Sequence, residues 1–356
     1  MSRPETCRIA AMPADYQRYG IAKGEIAARE DGFRTRPGGP GTFEWWYFDA
    51  VLDDGSTLVI NFMVKDIRSG RGIKQPARPV VTFELDRPDG THVERALQAR
   101  DDFAFGADRC DVRVGASTFA GDLQTYRIHL ELDAVTADVT LTGQVPSWRP
   151  ETGHILFGDD QPHVFAWLPA VPQGTVRATL TVDDETRTLT GIGYHDHNWG
   201  DAAMPQLINH WYWARAQAGG YCVIASHITA ERKYGHTQVP IFMLARDGKI
   251  LADDSSLVRL RSQSCLAARQ DACSTLACRA FRCCAVIRWQ AMRVAADCNE
   301  ISVSSVMAPR SRVPGTGRRH VPSERARCRA DPSDFSTRTD SGDSPGHGAA
   351  CGDGDA

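Results

Sequence analysis

Three features of the 356-residue chain predict an all-β protein of the sandwich or barrel class. Short runs alternate polar with apolar residues, turn signals separate them at regular intervals, and no segment sustains a helical period. Residues 1–30 read as a polar lead-in, and Arg36-Pro37-Gly38-Gly39-Pro40-Gly41 reads as a loop. Phe43 to Val51 and Ser56 to Lys65 then flank Asp53-Asp54-Gly55, a hairpin signal. Pro79 to Leu85 and His92 to Leu97 flank the turn Arg87-Pro88-Asp89-Gly90. Asp111–Val114, Leu123–Leu132 and Ala137–Val145 alternate as half-buried antiparallel strands do. Thr175–Val182 and Thr186–Gly193 form a further hairpin across Asp183-Asp184-Glu185. Ile208–Ala216 and Tyr221–Thr229 flank Gly219-Gly220, and Gln238–Ala245 turns through Arg246-Asp247-Gly248 into Lys249–Ala252. The expected division is a first β unit over 31–190, a junction motif with the opening strands of a second unit over 191–255, and an atypical tail over 256–356.

The tail differs in composition. Eight of the eleven cysteines and fifteen arginines fall after residue 255, while no lysine follows Lys249 and no tyrosine follows Tyr234. Cys278–Cys284 and the Pro/Ser/Arg/Gly mixture from Met307 match no strand or helix template. A GC-rich gene read out of frame yields such a mixture, so a frameshift near 252–265 is expected, truncating the second unit. A disordered extension and a Cys-rich metal module are the alternatives. The latter lacks the paired C-x2-C spacing of a zinc site. A DNA read across codons 245–270 decides the matter: a clean in-frame read refutes the frameshift.

A net charge of −3 gives no electrostatic reason to invoke nucleic acid. Residues 1–20 contain no continuous apolar run, so neither a signal peptide nor a membrane anchor is indicated and the cytoplasm is the expected location. An apolar substrate would still draw the protein to a membrane surface. No cofactor is expected, and nothing in the sequence sets an oligomeric state.

Two stretches carry unusual chemistry. Gly191-Ile192-Gly193-Tyr194-His195-Asp196-His197-Asn198-Trp199-Gly200 crowds reactive groups between glycines. In an extended chain Tyr194, Asp196 and Asn198 share one face, and His195, His197 and Trp199 share the other. Glu44-Trp45-Trp46-Tyr47-Phe48-Asp49 puts four adjacent aromatics on both faces of one strand, headed by a carboxylate that needs a partner if buried. Six of the eight tryptophans (Trp45, Trp46, Trp167, Trp199, Trp211 and Trp213) fall in these stretches, in His163–Trp167 or in Asn209–Trp213. Such clustering suggests a large aromatic cavity for an apolar ligand. His195-x-His197 has the strand spacing of two metal ligands, but a third from His163, His210 or His227 has no spacing to recommend it, so no metal is expected.

The Glu-Trp-Trp-Tyr-Phe-Asp and Gly-Tyr-His-Asp-His-Asn-Trp-Gly motifs resemble those of the AttH-like, hydroxyneurosporene synthase family. Carotenoid 1,2-hydratases, kievitone hydratase-like proteins and lipocalin-like fungal Diels–Alderases are its relatives. The resemblance covers roughly residues 30–255 and implies tandem lipocalin-like β domains with a ligand pocket between or within them. It points to Tyr194 and Asp196 as the catalytic pair. The carotenoid hydratases are expected to carry a His-x-Trp upstream of it; Phe165-Ala166-Trp167 keeps the Trp and loses the His. That departure counts against carotenoid hydration specifically.

For such a hydratase, Asp196 in apolar surroundings would be the proton donor, and Tyr194 would hold it or position water. Trp167, Trp46 and Trp199 would face the developing cation, with Tyr47 and Trp211 completing the substrate-binding set. Glu44, His195, His197 and Asn198 read as supports. The bland alternative is a buried Tyr194–Asp196 pair that locks a junction. Three functions follow: a hydratase, a cyclase or pericyclase that folds a polyene by proximity, and a lipocalin-like carrier without chemistry.

Overall fold

The computed structural model describes residues 3–35, 39, 41–66, 78–262, 285–289 and 302–306. The all-β class holds: among these residues the α-helices, α1 (Pro13–Tyr19) and α2 (Met204–Leu207), are short. No helix among them is long and apolar enough to cross a membrane.

The larger sheet is built from two antiparallel meanders joined by a two-stranded hairpin. β2 (Phe43–Leu52), β3 (Thr57–Met63), β4 (Val80–Asp86) and β5 (His92–Gln98) pair in sequence order. β6 (Phe103–Phe105), β7 (Asp111–Val114), β8 (Ser117–Gly121), β9 (Thr125–Leu132) and β10 (Val135–Gly143) form the second meander. β12 (His163–Val182) pairs with β10, and β13 (Glu185–Gly200) inserts between β12 and β2. β1 (Cys7–Ile9) and β11 (His154–Phe157) extend the sheet beside the first residues of β12. The strands obey period 2: in β10, Val135, Ala137, Val139 and Leu141 are buried while Thr136 and Asp138 face water. Burying each such large aliphatic contributes roughly 1.5–3 kcal/mol. The sheet curls, so that Leu97 of β5 reaches the β7–β8 turn at Gly115 and the concave face closes over one apolar core.

A second sheet follows in the order β17 (Lys249–Ala252), β16 (Gln238–Arg246), β15 (Tyr221–Ala230), β14 (Ile208–Ala218) and β20 (Ser302–Val306). A separate core lies between this sheet and the convex side of the first, and joins Tyr47, Trp167 and Tyr194 to Trp213, Ile224 and Met243.

Several elements differ from the sequence expectation. The lead-in holds α1, because the Asp15 carboxylate accepts the Met12 N–H at 2.9 Å and Gly20 closes the helix at φ 61°. The hairpin predicted over 175–193 is longer in both directions. Asp183 and Asp184, at φ 49° and 67°, make the turn that matches strand twist, and β13 runs on through the whole 191–200 motif. The motif is therefore an inner strand of the first sheet, and the second sheet begins at Ile208. Within the region assigned to the tail, β18 (Val258–Ser262) pairs with β19 (Ala285–Trp289), and β20 borders β14. Residues 263–284 and those from Met307 onward, on which the frameshift expectation chiefly rests, lie outside the described residues.

Candidate active site

β13 lies between two cores and gives a different chemistry to each. Pairing with β2 sets Tyr194 opposite Asp49, Asp196 opposite Tyr47 and Asn198 opposite Trp45, and cross-strand partners share a face. Two glycines let the backbones close: a Cβ on Gly191 would meet the Val51 carbonyl at 2.3 Å, and one on Gly193 would meet Val176 Cγ2 at 2.6 Å. On the other side, Pro169 and Pro172 interrupt the β12 ladder, with register shifts between Leu168 and Val171 and between Val171 and Gly174. The freed carbonyls find other donors, Trp148 N at Pro169 and Ser147 Oγ at Ala170. The irregular stretch runs directly beside Asp196 and Tyr194.

On the face toward the second sheet, Asp196 is the hub. Its Oδ2 accepts from Tyr194 Oη at 2.7 Å and Trp167 Nε1 at 2.8 Å, and its Oδ1 accepts from Asn198 Nδ2 at 2.7 Å. All three donors are neutral. Burial pushes the Asp196 carboxyl up to about 6, against the pull of the Tyr194 and Trp167 hydrogen bonds. Burial, reinforced by the nearby Asp196 carboxylate, holds the Tyr194 phenol well above its usual range. A second buried carboxyl, Asp49, shares this face and takes a different partner. Its Oδ1 is paired to Arg215 Nη2 of β14, and its Oδ2 accepts from Tyr47 Oη at 3.1 Å. Burial raises Asp49 as well, and the Arg215 guanidinium opposes that rise. Arg215 also lies over the Tyr194 ring, 4.3 Å from its centroid.

The opposite face is a buried polar network in the first core. Asp31 Oδ2 accepts from Tyr126 Oη at 2.5 Å and lies 3.2 Å from His195 Nε2, while His195 Nδ1 donates to the Tyr47 carbonyl at 2.8 Å. His197 Nε2 lies 2.8 Å from Glu44 Oε1. Glu44 also accepts from the Arg34 and Thr35 amides and the Thr35 hydroxyl, pinning the lead-in to β2. Asp31, Cys110 and His195 offer ligand-type atoms within 4.8 Å of one another. Among these, Asp31 and His195 are engaged with each other, and Cys110 Sγ donates to the Phe119 carbonyl.

The structure thus brings Tyr194, Asp196, Asn198, Trp167 and Tyr47 together and leaves others apart. Trp46 stacks on His197 at 4.6 Å, and Trp199 packs against His197 and His154, so both tryptophans belong to the far face from Asp196. Trp211 shares the Trp213–Arg215 face of β14 and packs against the inter-sheet core. Sequence reasoning gave no role to Asp49 or Arg215. The available signal was an arginine between Ala214 and Ala216 in an otherwise aromatic strand, a charge that burial would oblige to find a partner.

Curled sheet, bulged strand and motif together define a lipocalin-like protein with a polar centre in an apolar junction. The chain belongs to the Diels-Alderase-like family, whose model matches residues 39–264. This agrees with the resemblance carried by the two aromatic motifs. The chain is 27% identical over 194 residues to the quinolone epoxide rearrangement protein asqO of Emericella nidulans, covering 51% of this chain and 53% of that one. It is 24% identical over 210 residues to the acyclic carotenoid 1,2-hydratase of Thiocapsa roseopersicina, covering 55% and 50%. The kievitone hydratase structure from Nectria haematococca matches with a TM-score of 0.45 at 14% identity, covering 74% of each chain. The chain spans about half the length of the curated relatives it matches.

Proposed function

We propose that this chain is a hydratase-like enzyme adding water to an alkene of an apolar isoprenoid or polyketide-type substrate, with Asp196 as proton donor. The observation that carries the reading is the Asp196 carboxyl, buried, raised to about 6 and bonded to three neutral donors. A carboxyl so placed retains a proton on roughly a tenth of molecules at neutral pH. Asp196 gives that proton to the less substituted alkene carbon, water adds to the resulting cation, and the water's proton returns to the carboxylate. Tyr194 steadies the carboxylate left behind. The Trp167 ring, fixed by its own N–H bond to Asp196, faces the developing charge.

A cyclase that folds a polyene is the second reading, and one observation favours it. Arg215 sets a full positive charge over Tyr194, which opposes a free cation but not a concerted ring closure. The test is incubation with acyclic trisubstituted alkenes in D2O. The hydratase reading expects a product that gains the elements of water and one non-exchangeable deuterium, and expects Asp196→Asn to abolish it. Full turnover by that variant sinks the acid role, and retained control of product stereochemistry favours the cyclase.

A further inference from the structure

We infer that the Asp196 face binds an oxygen of its substrate, a carbonyl or enolate oxygen, through Trp213 Nε1 and Arg215 Nε. The inference rests on the reading above that this face is the site. Both nitrogens are buried and find no acceptor among the described residues. An indole N–H and a guanidinium Nε–H can only donate, so neither is satisfied by the aromatic carbon around it. Donors shut away from water without an acceptor are rare in folded proteins and call for an explanation.

Their placement supplies one. Trp213 and Arg215 sit two residues apart on β14 and therefore on one face, with 9% and 7% of their surfaces exposed. Arg215 is not free to turn, because Asp49 holds its Nη2. That grip takes Nη2, while the neighbouring Nε–H finds no acceptor among the described residues. Tyr194 stands in the middle: its ring lies 5.5 Å from Trp213 and 4.3 Å from the Arg215 carbon, and its hydroxyl is on Asp196. The two unpaired donors and the proposed acid thus surround the same ring.

A pure hydrocarbon offers nothing to these donors, whereas a ketone, amide or enolate oxygen takes both. The structure therefore assigns the substrate to oxygen-bearing unsaturated molecules. For hydration by alkene protonation, an oxygen remote from the double bond positions the substrate; for a cycloaddition, hydrogen bonds to a conjugated carbonyl activate the dienophile.

The test compares geranylacetone with the hydrocarbon in which CH2 replaces its carbonyl, using calorimetry on the full chain. Wild-type protein should bind the ketone about tenfold more tightly, the worth of one or two buried hydrogen bonds. Trp213→Phe, which keeps the ring and removes the donor, should erase most of that preference and leave hydrocarbon affinity unchanged. Arg215→Lys, which keeps the charge beside Asp49, should do the same. Infrared spectra of the 13C-carbonyl ketone give a readout apart from affinity: its stretch should fall in frequency on wild-type protein and recover on Trp213→Phe. Equal affinities, binding of neither probe, or an unshifted stretch overturns the inference. The acid reading fails separately, through an active Asp196→Asn variant that still prefers the ketone.

Discussion

Two buried carboxyls stand on one face of the β2–β13 pair, and their partners divide the work between them. Asp49 faces a guanidinium, whereas Asp196 faces a phenol, an indole and an amide. Both are raised by burial, but only Asp49 is hydrogen-bonded to a cationic side chain. Under the proposed acid role the protonated form is the active one, so turnover should fall as pH rises through about 6, measured as kcat/KM against pH. Tyr194→Phe removes a hydrogen bond that lowers this carboxyl, so the falling limb should move to higher pH, with a lower maximum. An unmoved limb would separate Asp196 from the proton that counts. The Tyr-x-Asp pair was legible because residues two apart on a strand share a face. The guanidinium from Arg215 was not, since nothing local in a sequence reports a contact across 166 positions.

At the scale of elements, β13 works because both neighbours are shaped to it. The glycines at 191 and 193 admit β2 and β12 closely, and Gly193→Ala should destabilise the protein by about 1–3 kcal/mol through the crowding of Val176 and the Asp49 carbonyl. Urea denaturation checks this, and an unchanged midpoint would contradict the close approach. Glu44→Ala should cost more, about 3–5 kcal/mol, because it strands the Arg34 and Thr35 amides and His197 in a buried network. The alternation of β10 and the hairpin at Asp183–Asp184 could be read directly from the chain, because period and turn chemistry are local. The length of β12 could not. Its two prolines argue against a central strand, and the ladder survives only by shifting register around them.

On the scale of the molecule, the proposed site lies where the two sheets meet. Tyr47, Asp49, Trp167, Tyr194 and Asp196 come from the first sheet, Trp213 and Arg215 from the second. The class and the first sheet were legible, since their strands follow one another in sequence. The border of the second sheet was not: β20 joins β14 across a sequence separation that no local pattern reports. Arg215 and Asp49 tie the sheets together by a buried ion pair, and removing either partner leaves a charge without its counter-ion. Asp49→Asn and Arg215→Met should each destabilise the protein, and the double variant should be less destabilised than their sum. The expected coupling is about 1–3 kcal/mol in a double-mutant cycle followed by chemical denaturation. Strict additivity would mean that the sheets meet without this pair, and that Arg215 is held over Tyr194 by packing alone.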